Sequence, residues 1–278
     1  MASPDPRPTS PAGPTGWSTL HRDHVGIDAG GAMIKYAAVD MADGALLAPV
    51  RQLPTPRPAT PEAVADVLVR LLEEMSDEPN TPDPESGVGL AVPAIVRHGV
   101  ARSAANIDER WLGLDVRQYF TERLGRTVDV INDADAAGLA EMRYGAGRSA
   151  AGTVLMITLG TGIGSALFVD GKLVPNLELG HLEINGVDAE LRASALARER
   201  EDLDWSTYAQ RLEEYFARLE FLFSPDLIIV GGGISDRHEE FLPSLRLDTR
   251  VVPAELRNAA GIIGAARHAY VTVPPLES

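Results

Sequence analysis

Two segments of this chain, beginning at Val25 and Leu155, carry one pattern twice. The first is Val25-Gly-Ile-Asp28-Ala-Gly30-Gly31-Ala-Met-Ile-Lys35, followed by Ala37-Ala-Val-Asp40 and Asp43-Gly44. The second is Leu155-Met-Ile157-Thr-Leu-Gly160-Thr161-Gly162-Ile-Gly164, followed by Ser165-Ala-Leu-Phe-Val-Asp170-Gly171. Each predicts a β-branched strand, a glycine-rich turn and a second strand closed by an Asp-Gly hairpin signal. A repeat recurring once over such a distance points to a duplicated domain, since solenoid units recur every 20 to 50 residues or so. Two glycine turns facing each other across a cleft can offer backbone N–H groups to a phosphate from two sides. Phosphoryl chemistry is therefore the first expectation.

The rest of the chain narrows the class. Its 278 residues suffice for two medium domains with their own cores. The expected division is a disordered lead over 1–23, a small N-terminal α/β domain over 24–132 and a larger C-terminal α/β domain over 133–278. The first twenty residues hold five prolines and no apolar run, unlike a signal peptide. No segment approaches the roughly 20 apolar residues that span a bilayer, so a cytoplasmic protein is expected. The absence of cysteine removes disulfides and thiolate metal sites, and no zinc is expected. A net charge of -15 argues against nucleic-acid or anionic-membrane binding. A polyanion would need a local basic cluster, for which Lys35 and Lys172 are the only lysines.

Along the chain, Thr60 suits the N-cap of a helix over 61–75, where Val64, Val67, Leu68, Leu71 and Leu72 form one apolar stripe. Residues 87–92 predict a buried strand, 95–100 another, 111–124 a helix, and 128–131 a strand that delivers Asn132-Asp133 to its C-terminal end. A small-residue helix over 134–144, a striped helix over 205–222, a strand over 225–230 entering Gly231-Gly232-Gly233, and a closing helix over 258–270 complete an alternating α/β pattern.

Several residue groups suit chemistry. Asp28, where the first strand meets Gly30-Gly31, could hold Mg²⁺ through water while the glycines admit phosphate oxygens; it equally suits a turn aspartate bonding its own backbone. Thr161 puts a hydroxyl at the apex of the Gly160-Thr161-Gly162 turn. Asp133 could accept the proton of an attacking hydroxyl, or simply cap a helix. Glu178, His181, Glu190 and Asn106 supply the carboxylates, imidazole and amide that hydrogen-bond sugar hydroxyls, although each also suits a surface or cap. Gly232 belongs to a nucleotide-loop candidate of low specificity.

With these residues in order, the chain resembles the ROK family of sugar kinases, and within it the polyphosphate-dependent glucokinases. The resemblance runs over 25–270 and is strongest in Ala104-Ala-Asn-Ile-Asp108, Asn132-Asp-Ala-Asp-Ala-Ala-Gly-Leu-Ala-Glu141, Leu159-Gly-Thr-Gly-Ile-Gly-Ser-Ala-Leu-Phe168 and Glu178-Leu-Gly-His-Leu-Glu183. It implies an actin-like two-domain fold with substrate in the interdomain cleft, Mg²⁺-dependent transfer to a hexose 6-hydroxyl, and a homodimer. It also implies Asp133 as the base and Asn106, Asn132, Glu178, His181 and Glu190 as sugar contacts. Asp28, Gly30, Gly31, Lys35, Gly160, Thr161, Gly162 and Gly232 fall on the donor side.

The departures from the family pattern gather there. Ala32 and Met33 stand where relatives continue Gly-Gly-Thr or Gly-Gly-Ser, Tyr36 where glycine is common, and Leu177 where threonine precedes Glu178. The run Ser235-Asp236-Arg237-His238-Glu239-Glu240 is more acidic than the lysine-rich family version. Added negative charge beside a polyanion weakens its binding, so long-chain polyphosphate is expected to be a poorer donor than in typical relatives, with ATP or GTP as substitutes. Glucose is the default acceptor and a kanosamine-like amino sugar the alternative. The altered turn also suits a sugar-binding pseudokinase or regulator. A ROK repressor would need a helix-turn-helix that the 24 residues before the first strand cannot supply.

Overall fold

The computed structural model describes residues 23–76, 82–83, 86–104 and 107–272. The expected lead lies outside these apart from Asp23, and so does Asn106. Among the described residues, fourteen strands and seven α-helices follow one another. β1 (Asp23–Ala29), β2 (Met33–Asp40), β3 (Arg51–Pro54), α1 (Pro61–Ser76), β4 (Val88–Val92), β5 (Val96–Arg97), β6 (Val100–Ala101), α2 (Val116–Leu124) and β7 (Val128–Asn132) make up the first half. α3 (Asp133–Tyr144) leads into β8 (Thr153–Leu159), β9 (Ile163–Val169), β10 (Lys172–Leu177), β11 (Glu183–Ile184) and β12 (Val187–Asp188). Then come α4 (Glu190–Ala193), α5 (Ala195–Arg200), α6 (Trp205–Phe223), β13 (Leu227–Gly231), β14 (Arg250–Pro253) and α7 (Ala260–Thr272).

The duplication extends well beyond the hairpins. One sheet runs β3-β2-β1-β4-β7 and the other β10-β9-β8-β13-β14. In each, the first three strands are antiparallel and the next two join in parallel. The second hairpin is prolonged by Asp170 and Gly171, both at positive φ, which gives the doubly left-handed turn that matches strand twist between β9 and β10.

The core follows the apolar stripes. Leu68 and Leu71 of α1 pack with Val25, Ile27, Trp111 and Phe120 against the first sheet, while Tyr208, Leu212, Tyr215 and Phe216 of α6 pack with Leu155, Ile157 and Ile228 against the second. The central layer is α3 and α7. α7 comes from the C-terminal half yet packs on β1, β4 and β7 of the first sheet as well as on α3. That approach demands missing side chains: a Cβ at Gly26 or Gly89 would fall inside the carbonyls of Ile262 or Ala265, and one at Gly264 inside that of Ala136. The small residues of the closing helix are thus a backbone-to-backbone contact.

Two expected elements differ. The strand over 95–100 is the two short strands β5 and β6, folded about His98-Gly99, both at positive φ. The helix over 111–124 starts only at Val116, because Gly113 sits at φ 81° and Asp115 caps α2 through Gln118 N–H at 2.9 Å. β3, β10, β11, β12, β14, α4 and α5 come in addition to the expected elements. Thr60 does cap α1, its Oγ1 accepting the Ala63 N–H at 3.1 Å.

Candidate active site

β7 ends at Asn132, and α3 begins at once. Asn132, not Asp133, is the N-cap: its Oδ1 accepts the N–H groups of Ala134 (2.9 Å) and Asp135 (3.1 Å). Its Nδ2 donates to the Ala94 carbonyl at 3.3 Å, so this amide ties strand, helix and the β4 exit together. Asp133 is thereby the first helical residue, with Oδ1 accepting its neighbour Ala134 N–H at 2.8 Å. Burial pushes its carboxyl up to about 7, and the negative charges of Asp28 and Glu178 add to that against the opposing backbone bond. The three carboxylates expected at separate sites therefore share one field.

Asp28 stands at the end of β1, opposite Lys35 in the β1–β2 register. Burial raises its pKa, and the Lys35 ammonium partly offsets the rise. Gly261 at the start of α7 leaves room for it; a Cβ there would lie 3.0 Å from Asp28 Oδ2. The first turn, Gly30 to Ala32, is held by the residue that follows β3, since Thr55 Oγ1 donates to the Gly30 carbonyl at 2.6 Å and Thr55 N–H to the Ala32 carbonyl at 3.0 Å. Gly31 and Ala32 are exposed at its apex, whereas Tyr36 is buried in the first core.

The second turn is braced by Glu190. Its Oε2 accepts the Ile163 N–H at 3.3 Å, and Gly162 must lack a side chain because a Cβ would stand 2.5 Å from that oxygen. Thr161 is exposed, and the Gly160 carbonyl accepts the Leu196 N–H at 3.1 Å. Gly232 sits at φ 83° against the end of β8, where a Cβ would strike the Leu159 carbonyl. This brings the glycine triplet beside the second turn. The acidic run that follows carries its own cations: Arg237 pairs with Glu240 at 2.8 Å, and Arg257 approaches Asp236 at 3.8 Å.

Glu178 follows β10 and is held by its neighbours. Ser165 Oγ donates to the Leu177 carbonyl (2.8 Å) and accepts the Leu179 N–H (2.9 Å). Burial raises the Glu178 pKa, His181 opposes the rise and Glu190 reinforces it. His181 Nδ1 lies 3.1 Å from Asp188 Oδ2 and 3.8 Å from Glu190 Oε1. Its pKa is raised, chiefly by the Asp188 hydrogen bond. Asp188 was not expected from sequence. Glu178, His181 and Glu190 thus form one polar group, and Glu190 joins it to the donor-side turn. Asp135, also unexpected, is buried two residues after Asp133, and burial pushes its carboxyl up to about 7.

Among the described residues no three His, Asp or Glu side chains are grouped as a metal site. Asp28 alone still suits Mg²⁺, which typically takes one or two protein carboxylates and completes its shell with water and phosphate oxygens.

The profile described as the ROK family matches residues 24–195. The chain is 43% identical over 250 residues to the polyphosphate glucokinase of Mycobacterium tuberculosis (strain CDC 1551 / Oshkosh), covering 90% of this chain and 92% of that one. Among solved structures, it matches the inorganic polyphosphate/ATP-glucomannokinase of Arthrobacter sp. strain KM with 58% identity and a TM-score of 0.87, over 90% of this chain and 98% of that one. A glucokinase of Streptomyces griseus, solved with glucose and AMPPNP, matches with 25% identity and a TM-score of 0.76, over 90% of this chain and 99% of that one. The doubled sheet is accordingly the actin-like sugar-kinase fold.

Proposed function

This chain belongs to the ROK family, and we propose that it is a hexose kinase transferring a phosphoryl group from polyphosphate or ATP to the 6-hydroxyl of glucose or a related hexose. The observation that carries the chemistry is Asp133: a carboxyl at the start of α3, in the field of both Asp28 on the phosphate side and Glu178 on the sugar side, with its pKa lifted to about 7. A base of that strength takes the hydroxyl proton as the new O–P bond forms. Phosphoryl transfer has a loose transition state that asks little more of its nucleophile.

Glu178, His181 and Glu190 bind and orient the sugar hydroxyls, and Asn106 is proposed to join them from the first half. Asn132 acts differently from a plain sugar contact, because its amide oxygen is committed to capping α3 and so aims Asp133. The turns at Gly30-Gly31 and Gly160-Thr161-Gly162, with Lys35 and Gly232, receive the donor phosphates. Asp28 would hold Mg²⁺, which when bound neutralises charge on the donor oxygens. The reading extends to a homodimer in the cytoplasm; no helix among the described residues is long and apolar enough to cross a membrane.

Asp133→Asn tests the assignment. kcat should fall by about 10²–10⁴, the usual share of general base catalysis, while glucose binding by calorimetry stays within a few-fold. Near-normal kcat would sink the role of Asp133. Glucose, mannose and kanosamine assayed against polyphosphate, ATP and GTP identify acceptor and donor, and hexose binding without any transfer would favour the pseudokinase reading.

A further inference from the structure

The proposed sugar contacts come from both halves of the cleft, and one side chain spans the halves beside them. Asn176, on β10, lies where the β9–β10 register breaks between Val174 and Leu177, and its backbone is left-handed at φ 62°. Its N–H is accepted by Asp135 Oδ2 at 2.8 Å. Its carboxamide then reaches Val96, 80 residues away in the first half. Oδ1 accepts the Val96 N–H at 2.7 Å, and Nδ2 donates to the Val96 carbonyl at 2.9 Å. Both backbone groups of one residue are thus satisfied by one side chain, as a neighbouring strand would satisfy them.

We propose that Asn176 is a positioning residue for hexose binding, a latch that sets the 94–96 stretch of the first half, to which Asn132 is tied, against Glu178 of the second. The inference rests on the hexose-kinase reading. On the first-half side, Val96 packs on the first core, and its neighbour Ile95 holds the departing chain: Ile95 N–H donates to Ser103 Oγ at 2.8 Å, and the Ile95 carbonyl accepts the Arg102 N–H at 2.7 Å. Asn132 is tied to the same stretch, its Nδ2 donating to the Ala94 carbonyl at 3.3 Å. On the second-half side, Glu178 is two residues from Asn176 and is clamped by Ser165. The latch is anchored at a cost. Asp135 is 1% exposed and its Oδ1 is buried with no hydrogen-bond partner among the described residues, so one carboxyl oxygen is left unsatisfied while the other holds a backbone N–H. The halves are joined independently by α3 and α7, so losing the latch leaves the fold standing while loosening the relative placement of the sugar contacts.

Asn176→Gly is the direct test, because glycine keeps the left-handed backbone and the N–H to Asp135 but deletes the carboxamide. Wild type and variant are compared by calorimetry with glucose, by separate KM values for glucose and donor, and by amide exchange at Val96. The expected result is a glucose Kd and KM raised tenfold or more, a donor KM within twofold, and faster exchange at Val96. Asn176→Asp keeps the acceptor for the Val96 N–H and loses the donor to its carbonyl, so it should fall between the two; it also serves if the glycine variant fails to fold. Faster Val96 exchange with glucose Kd unchanged within twofold overturns the inference, as does a parallel rise of both KM values. A wild-type protein that phosphorylates glucose beside an unaffected Asn176→Gly sinks the latch alone. A wild-type protein that neither binds nor phosphorylates any hexose sinks the kinase reading and the latch with it.

Discussion

The shared field of Asp28, Asp133 and Glu178 has a measurable consequence for pH. With a pKa of about 7 in place of the ordinary 3.8, Asp133 is about nine-tenths ionised at pH 8 and about one-tenth at pH 6. A base must be ionised to take a proton, so kcat/KM for glucose should fall about tenfold between those pH values; an unperturbed carboxyl would give a flat profile there. Asp28→Asn removes the larger of the two charges that lift Asp133, while burial, the leading cause, remains. Absolute activity drops in that variant because Asp28 serves the donor side. The quantity to read is therefore the ratio of kcat/KM at pH 6 to that at pH 8, which should rise from about one-tenth toward unity. His181 is a second titratable group of the site, its pKa raised chiefly by the Asp188 hydrogen bond, so the ratio is also measured in His181→Gln, where a limb owned by Asp133 persists. A wild-type profile flat to pH 5, or an Asp28→Asn ratio identical to wild type, would refute the shared field.

Three further substitutions address the frame and the donor turn. Gly89→Ala drives a methyl group into the Ala265 carbonyl of α7 and should cost about 3 kcal/mol, or roughly 6–12 °C in a thermal melt; a shift below 2 °C would mean the α7 contact is loose. Glu141 is fully buried and accepts the N–H groups of Ala146 (2.8 Å), Glu255 (3.1 Å) and Leu256 (2.7 Å), pinning the end of α3 to the approach to α7. Glu141→Gln turns one acceptor into a donor facing donors and should lose about 2–3 kcal/mol in urea unfolding. Ala32→Thr restores a hydroxyl at the exposed apex of the first turn; one net hydrogen bond of about 1 kcal/mol should lower the polyphosphate KM about fivefold. An unchanged KM would mean that the apex does not touch the donor.

Elements with a local cause were legible. The glycine turns, the capped α1 and the stripe of α6 each follow from residues within one or two turns of one another, so their pattern survives in the string. β3 escaped because its sequence, Arg51-Gln-Leu-Pro54, has no β-branched residue and forms an exposed edge whose partner β2 alone makes it a strand. The start of α2 was misplaced because Trp111 is apolar enough to extend the stripe, yet Gly113 in a left-handed conformation breaks the helix before Asp115 can cap it.

The site divides along the same line. Asp133 and Glu178 were found as residue types suited to their chemistry, but that they act on each other depends on β7 and β10 converging, which no spacing records. Asn176 shows the limit most clearly: its partners are the backbone groups of Val96, and a backbone N–H or carbonyl has no sequence signature. The cap, expected at Asp133, falls one residue earlier for a related reason, since asparagine and aspartate cap helices about equally well. What decided it was the length of β7, which keeps Asn132 extended at ψ 147° and lets only its side chain turn back onto the first helical N–H groups. The one-residue offset matters chemically. Had Asp133 been the cap, its carboxylate would have taken the capping N–H groups of the first turn and its pKa would have been driven down; with Asn132 in that place, the amide takes the Asp135 N–H and shares that of Ala134, and burial outweighs the one helix bond left to Asp133, so its carboxylate stays basic enough to accept a proton.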